Sequence, residues 1–217
     1  MMSNLFSVFD PCTGMLSLNW MSTLIFLILM PYNYWFIPNK INLIYMNLMM
    51  MLHKETKMLM SYNGTSIISL SLFTFILFNN LMGLLPYIFT SSSHLIYSLG
   101  LALPIWLSLM IYGWINKYNS MFCHLVPSGT PGILMPFMVM IETVSNIIRP
   151  GSLSVRLTAN MIAGHLLMSL LGNNSQSLFL MVSTMLIYLM LMLFELAVAL
   201  IQSYVFMTLG TLYSSEI

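Results

Sequence analysis

Asp, Glu, Lys and Arg are missing from three long stretches of this chain: Pro11 to Asn39, Met58 to Asn116 and Leu157 to Phe194. Each stretch is long enough for one or more membrane spans of about 20 apolar residues. Only 5% of the 217 residues are charged and 59% are hydrophobic, whereas a soluble domain carries about 25% charge. A soluble enzyme, a disordered tail and a nucleic-acid binder with a basic patch are excluded. A net charge of +1 implies no strongly acidic or basic partner. The runs are solidly apolar, not alternating as in a membrane β-barrel. The chain is expected to be an all-α polytopic membrane protein forming a single membrane domain over residues 1–217.

About five crossings are expected. The first span is 15–31, closed by Pro31. Residues 38–60 mix Lys40, Asn42, Asn47, His53, Lys54, Glu55 and Lys57 with many Met and Leu, the pattern of an amphipathic helix on the membrane surface. A second span covers 66–88 and a third 96–116, separated by the polar turn Ser91-Ser92-Ser93-His94. Residues 117–132, with Pro127, Gly129, Pro131 and Gly132, read as a loop. Two long helices, 133–171 and 178–213, then form a tilted hairpin about the turn Gly172 to Gln176. Lys40, Lys54, Lys57 and Lys117 share one side, which the positive-inside tendency makes the inner one. The N-terminus is then outside and the C-terminus inside. Cys12 and Cys123 suggest neither a disulfide framework nor a metal site, and no cofactor is expected. No cleavable signal peptide is expected, because the first residues contain Asp10 and Pro11 but no Lys or Arg. The 24 Met residues fit a genome that reads an additional codon as Met, as many mitochondria do.

Glu142, Arg149, Arg156 and Glu195 fall inside the last two helices. A charge near the bilayer centre costs about 2.5–3.5 kcal/mol on the insertion scale, so such residues face a cavity or a partner. Glu142, Ser145, Arg149, Ser152, Arg156 and Asn160 step by three or four and form one polar stripe. It runs about 27 Å at 1.5 Å per residue, with a bend expected at Pro150. Lipid would not accept it, so it must meet water or protein. The structural alternatives are a Glu195–Arg156 ion pair, and an Arg149 that snorkels or pairs locally with Glu142. His165 lies roughly 180° round the helix from Arg156. Glu195 and Gln202 share a face of the last helix. If the hairpin is symmetric about residues 174 and 175, Arg156 is level with about residue 193. His165 and Glu195 are then about 16 Å apart in depth. Titratable groups at staggered depths are what a proton path needs.

The segment Arg156-Leu157-Thr158-Ala159-Asn160-Met161-Ile162-Ala163-Gly164-His165 resembles the signature of the a subunit of F-type ATP synthase, in its mitochondrial form. Glu195-Leu196-Ala197-Val198-Ala199-Leu200-Ile201-Gln202-Ser203-Tyr204-Val205-Phe206 is similar to its last-helix signature. Asn80-Leu81-Met82-Gly83-Leu84-Leu85-Pro86 and Ile141-Glu142-Thr143 also match. The resemblance runs from about residue 79 to 213, is of the short, insect-like type, and continues towards the N-terminus mainly in layout.

The resemblance implies a proton-translocating stator subunit in the mitochondrial inner membrane, without catalysis of its own. Two offset half-channels would lead to a ring of c subunits, each with an essential carboxyl group, whose rotation drives ATP synthesis in a soluble head. Arg156 matches the essential arginine that keeps the ring carboxylate ionised and blocks a leak. Asn160, His165, Glu195 and Gln202 match polar positions of the outer half-channel or ring interface, and Glu142 an acid on the matrix side. In bacterial relatives the His and the acid at the positions of His165 and Glu195 are commonly exchanged. The implied partners are the c-ring, the peripheral-stalk b subunit, small membrane subunits and the lipid bilayer. The N-terminus would face the intermembrane space. A guanidinium suits the role of Arg156, because it stays protonated where a desolvated Lys would discharge. A respiratory proton-pump subunit is the alternative, but such proteins tend to bury Lys, and here every Lys lies in a loop or the amphipathic segment. An intramembrane serine protease would need a Gly-x-Ser-Gly setting, and Gly64-Thr65-Ser66-Ile67 lacks the second Gly. A purely structural anchor leaves the charged stripe unexplained.

Overall fold

The computed structural model describes residues 5–12, 16–32, 35–60, 64–126, 131–173 and 178–216. Its α-helices are α1 (Ile25–Leu29), α2 (Lys40–Leu59), α3 (Thr65–Gly83), α4 (Leu95–Asn116), α5 (Tyr118–Leu125), α6 (Met135–Asn173) and α7 (Leu178–Glu216). Four helical stretches are long and apolar enough to cross a membrane: Thr65–Gly83, Leu95–Asn116, Gly132–Asn173 and Met181–Ser215. They coincide with four of the expected spans. A helix satisfies its own backbone donors and acceptors, which hydrocarbon requires. Buried hydroxyls do the same by bonding back to the preceding turn. Ser203 Oγ donates to Leu200 O at 2.7 Å, Thr211 Oγ1 to Thr208 O at 2.8 Å and Ser214 Oγ to Thr211 O at 2.6 Å.

Two expectations change. The first span is a shorter apolar helical stretch, Leu18–Leu29, whose first part is a 3-10 helix over Leu18–Leu24. Pro31 stops it as expected, but Ser17, Asn19, Ser22 and Thr23 put polar groups through its first half. Asn19 donates to Asp10 O at 3.2 Å and Ser22 to Phe89 O at 3.1 Å, which ties this half to neighbouring backbone. The loop expected over 117–132 contains α5, because no Pro or Gly occurs before Pro127 and eight residues suffice for two turns. Pro127, Gly129 and the centre of the hairpin turn, Asn174 to Gln176, lie outside the described residues.

α3 starts after Gly64, whose φ of +100° only glycine adopts freely. It stops at Gly83, ahead of Pro86. α7 packs on α3, α6 and α2, and α6 packs on α4 and α7. Two apolar clusters join them. Ile76, Ala102, Leu153, Leu157 and Phe206 form one, and Leu84, Met161, Met168 and Ala199 the other. α2 is largely exposed, with Asn42 and Thr56 buried against the bundle. Its Glu55 Oε2 accepts a hydrogen bond from Tyr204 on α7 at 3.4 Å. α6 and α7 have 39 residues each. Each is thus about 58 Å long, nearly twice the roughly 30 Å hydrocarbon core.

Candidate functional site

α6 divides into two faces. Leu153, Ser154, Leu157, Thr158, Met161, Gly164 and Met168 are buried against the bundle. Ser152, Arg156, Ala159 and Ala163 stand on the exposed side. The guanidinium is therefore carried on a surface whose neighbours are small, and a second helix can approach it closely. Among the described residues Arg156 makes no ion pair, and the one recorded joins Arg149 to Glu142 at 3.8 Å. Of the two alternatives for Arg149, snorkelling or pairing locally with Glu142, the pairing is present. Arg149 also lies over the Tyr213 ring, 5.0 Å from its centroid.

The polar stripe changes character along its length. At one end Glu142, Asn146 and Arg149 line a cavity of about 470 Å³ with His124 and Tyr213. Pro150 has no N–H to give the carbonyl of residue 146, so this wall also holds a backbone acceptor without its helical donor. Ser145 and Ser152 turn their hydroxyls to the backbone, donating to Glu142 O at 2.8 Å and Arg149 O at 3.0 Å. Asn160 is half-buried beyond Arg156.

At the other end the structure corrects the hairpin register. The carboxyl group of Glu195 lies where a Cβ on Gly164 would stand. Glu195 is therefore level with the neighbour of His165, not with Arg156. The expected separation of about 16 Å in depth between His165 and Glu195 is overturned, and so is the Glu195–Arg156 ion pair. Met161 shares one apolar cluster with Ala199, and Leu157 the other with Phe206, in keeping with this register. The physical reason is that α7 is wedged between α3 and α6 along small buried residues, Ala199, Ser203 and Thr211. The fit of three helices sets the slide, and a count outward from the turn cannot see it. Glu195 is only 5% exposed. Its carboxyl group has room because residue 164 has no side chain. The imidazole of His165 has a buried Nε2 without a protein partner and meets Phe9 edge-on at 6.3 Å. Gln202 is half-buried two turns along α7 from Glu195.

The family model described as ATP synthase A chain matches residues 14–215. The chain belongs to that family. It is similar over its whole length, and over the whole of each relative, to the ATP synthase subunit a of Drosophila simulans at 58% identity, of Anopheles gambiae at 58% and of Aedes aegypti at 56%. As a member of the ATP synthase A chain family it is a membrane-sector subunit of ATP synthase. Its four long apolar helices make it a multi-pass membrane protein. All six candidate residues, Glu142, Arg156, Asn160, His165, Glu195 and Gln202, fall within the matched stretch.

Sequence reasoning assigned no role to Gly164, although it stands beside His165 in the quoted signature. The sign available was a glycine on the helix face that carries the buried residues Leu157 and Met161. His124, Asn146 and Tyr213 were also passed over, and only the cavity brings them to Glu142 and Arg149.

Proposed function

We propose that this subunit carries protons between the two sides of the mitochondrial inner membrane through two offset half-channels that meet a ring of c subunits. The observation that carries the reading is the separation of polar groups about Arg156. Glu142 and its cavity lie about 21 Å to one side along α6, and His165, with Glu195 behind Gly164, about 14 Å to the other. Arg156 stands between them on the exposed face. A proton entering at His165 and Glu195 passes to a ring carboxylate, travels with the ring and leaves past Glu142. Asn160 and Gln202 line the outer path or the ring interface.

Arg156 holds the ring carboxylate ionised as it passes, because opposite charge at short range favours the ionised form. It does not itself relay the proton, since a guanidinium stays protonated. Continuous water from His165 to Glu142 would short-circuit the ring, and the charge of Arg156 opposes it. α6 and α7 are too long to stand upright in the bilayer, so tilt lets them follow the ring. Lys40, Lys54, Lys57 and Lys117 face the matrix, where the C-terminus also lies, and the N-terminus faces the intermembrane space. The whole chain is one membrane domain, with residues 38–60 at the surface. Its other partners are the peripheral-stalk b subunit and small membrane subunits, and ATP is made elsewhere in the complex.

The contact with the ring is tested by cross-linking. Cys12 and Cys123 are replaced by Ser, and Ala159→Cys is paired with a cysteine beside the c-subunit carboxyl group. A disulfide needs Cα atoms about 4.4–6.8 Å apart, so an adduct under mild oxidation is expected as the ring turns. A chain that cross-links through Leu186→Cys but never through Ala159→Cys would place the ring on another face.

A further inference from the structure

A second cavity, of about 190 Å³, lies among α3, α4, α6 and α7. Ser69 and Leu72 of α3, Ala102 of α4, Leu153 of α6, and Phe206 and Gly210 of α7 line it. Trp106, Leu109 and Tyr213 border both this cavity and the one at Glu142, so they are the partition between the two. The chemistry on the two sides differs. Among the described residues no Asp, Glu, Lys, Arg or His lines the second cavity. Three of its hydroxyls are committed to their own helices. Ser69 donates to Ser66 O at 2.9 Å, Ser108 to Ile105 O at 2.7 Å and Ser214 to Thr211 O at 2.6 Å. A buried water needs two to four polar partners, whereas an apolar cavity of about 150 Å³ stays dry and takes an apolar guest.

The way in follows from the packing. α3 and α4 are joined at the 3-10 turn Ser91–Ser93, but α3 packs on α7 and α4 on α6. A gap is left between α3 and α4, and the cavity reaches the surface there: Ile68 of α3 is 58% exposed and Ser108 of α4 is exposed. At the other end of the lining stands Met60, which follows the last turn of α2. Lys57 lies in that turn and is exposed, with Lys54 one turn earlier. Glu55 is turned towards α7, where it meets Tyr204.

Gly210 shows that the space is not a slack fit of side chains. Glycine within a helix weakens it relative to alanine. At Gly164 the room so made is taken by Glu195, but a Cβ on Gly210 would meet nothing within 4 Å. The helix gives up a side chain there, and no residue of the chain uses the space. Another helix, about 10–12 Å across with its side chains, is too wide for it. A lipid tail is as apolar as leucine and slender enough. We propose that the cavity takes one acyl chain of an anionic phospholipid, which enters between α3 and α4 and leaves its headgroup phosphate at Lys57. The inference is independent of the proton route. It takes from the proposed function only the placement of residues 38–60 at the membrane surface.

The test uses the assembled ATP synthase in phosphatidylcholine membranes doped with a phosphatidylglycerol that carries a diazirine midway along one acyl chain. After irradiation the adducts are mapped by peptide mass spectrometry. Ala102 and Leu153 are only 5% and 7% exposed, so adducts on them report a chain inside the bundle. They are expected beside adducts on Ile67, which is exposed on α3. Gly210→Leu puts a side chain into the open space and should lower the inner adducts several-fold, with Ile67 labelled as before. The same diazirine chain on a phosphatidylcholine headgroup should give several-fold fewer inner adducts, and Lys57→Gln should make the two headgroups equal. Adducts on Ile67 alone in the parent chain would overturn the site, and a neighbouring subunit seated in the gap would give that result. Undiminished inner adducts in an assembled Gly210→Leu complex would overturn it too. Equal labelling by the two headgroups in the parent would overturn the anionic lipid.

Discussion

Glu195 and Gly164 occupy one space: the carboxyl group of the first sits where a side chain on the second would have to be. A buried acid on α7 is thereby seated against the backbone of α6, one residue from His165. Because Gly164 lies mid-helix, its lack of a Cβ costs helix stability, about 1 kcal/mol relative to Ala. The contact with Glu195 is the counterpart of that cost.

Gly164→Ala separates these effects. The alanine favours the helix, so the complex should still assemble, but its methyl group displaces the Glu195 carboxyl group. Proton-driven ATP synthesis per assembled complex should fall several-fold. Combining Gly164→Ala with Glu195→Asp, one methylene shorter, should leave synthesis no lower than Glu195→Asp alone. Strictly additive losses in the pair, read by synthesis rates normalised to assembled complex, would show that the two positions do not share a space.

The proposed function puts His165 and Glu195 on one path. Removing either should slow proton flow, and the double exchange His165→Glu with Glu195→His should recover part of it. The register strengthens this expectation, since both groups now stand at neighbouring levels. Conduction by the exchanged chain no better than the worse single variant would separate the two roles.

The fold was legible where the physics is one-dimensional. Charge-free apolar runs mark α3 and α4, and long apolar runs broken by only a few charges mark α6 and α7, because hydrocarbon disfavours charge residue by residue. The seven-residue spacing of Glu142 and Arg149 puts them on one helix face, which kept their pairing open as one of two alternatives for Arg149. The register of α6 against α7 could not be read. It depends on which residues of the two helices meet, as Gly164 does with Glu195, and no spacing within one helix encodes that. Likewise the split of the stripe into a cavity wall at Glu142 and an open face at Arg156 depends on α5 and Tyr213, which come from outside α6.

The two ends of α6 should open to opposite sides. In a chain with Cys12 and Cys123 replaced, a membrane-impermeant thiol reagent should label His165→Cys from the outer side only. Glu142→Cys should react from the inner side only. Labelling of both positions from one side would contradict two offset half-channels.

Arg156 carries the central claim, and proton-driven ATP synthesis by Arg156→Lys membranes tests it most directly. Lysine keeps a positive charge in water but releases its proton when desolvated, so it cannot hold the passing carboxylate ionised without offering a leak. The account predicts an assembled complex whose proton-driven synthesis is lost or nearly so, as in Arg156→Ala. Near-normal synthesis by Arg156→Lys would contradict it.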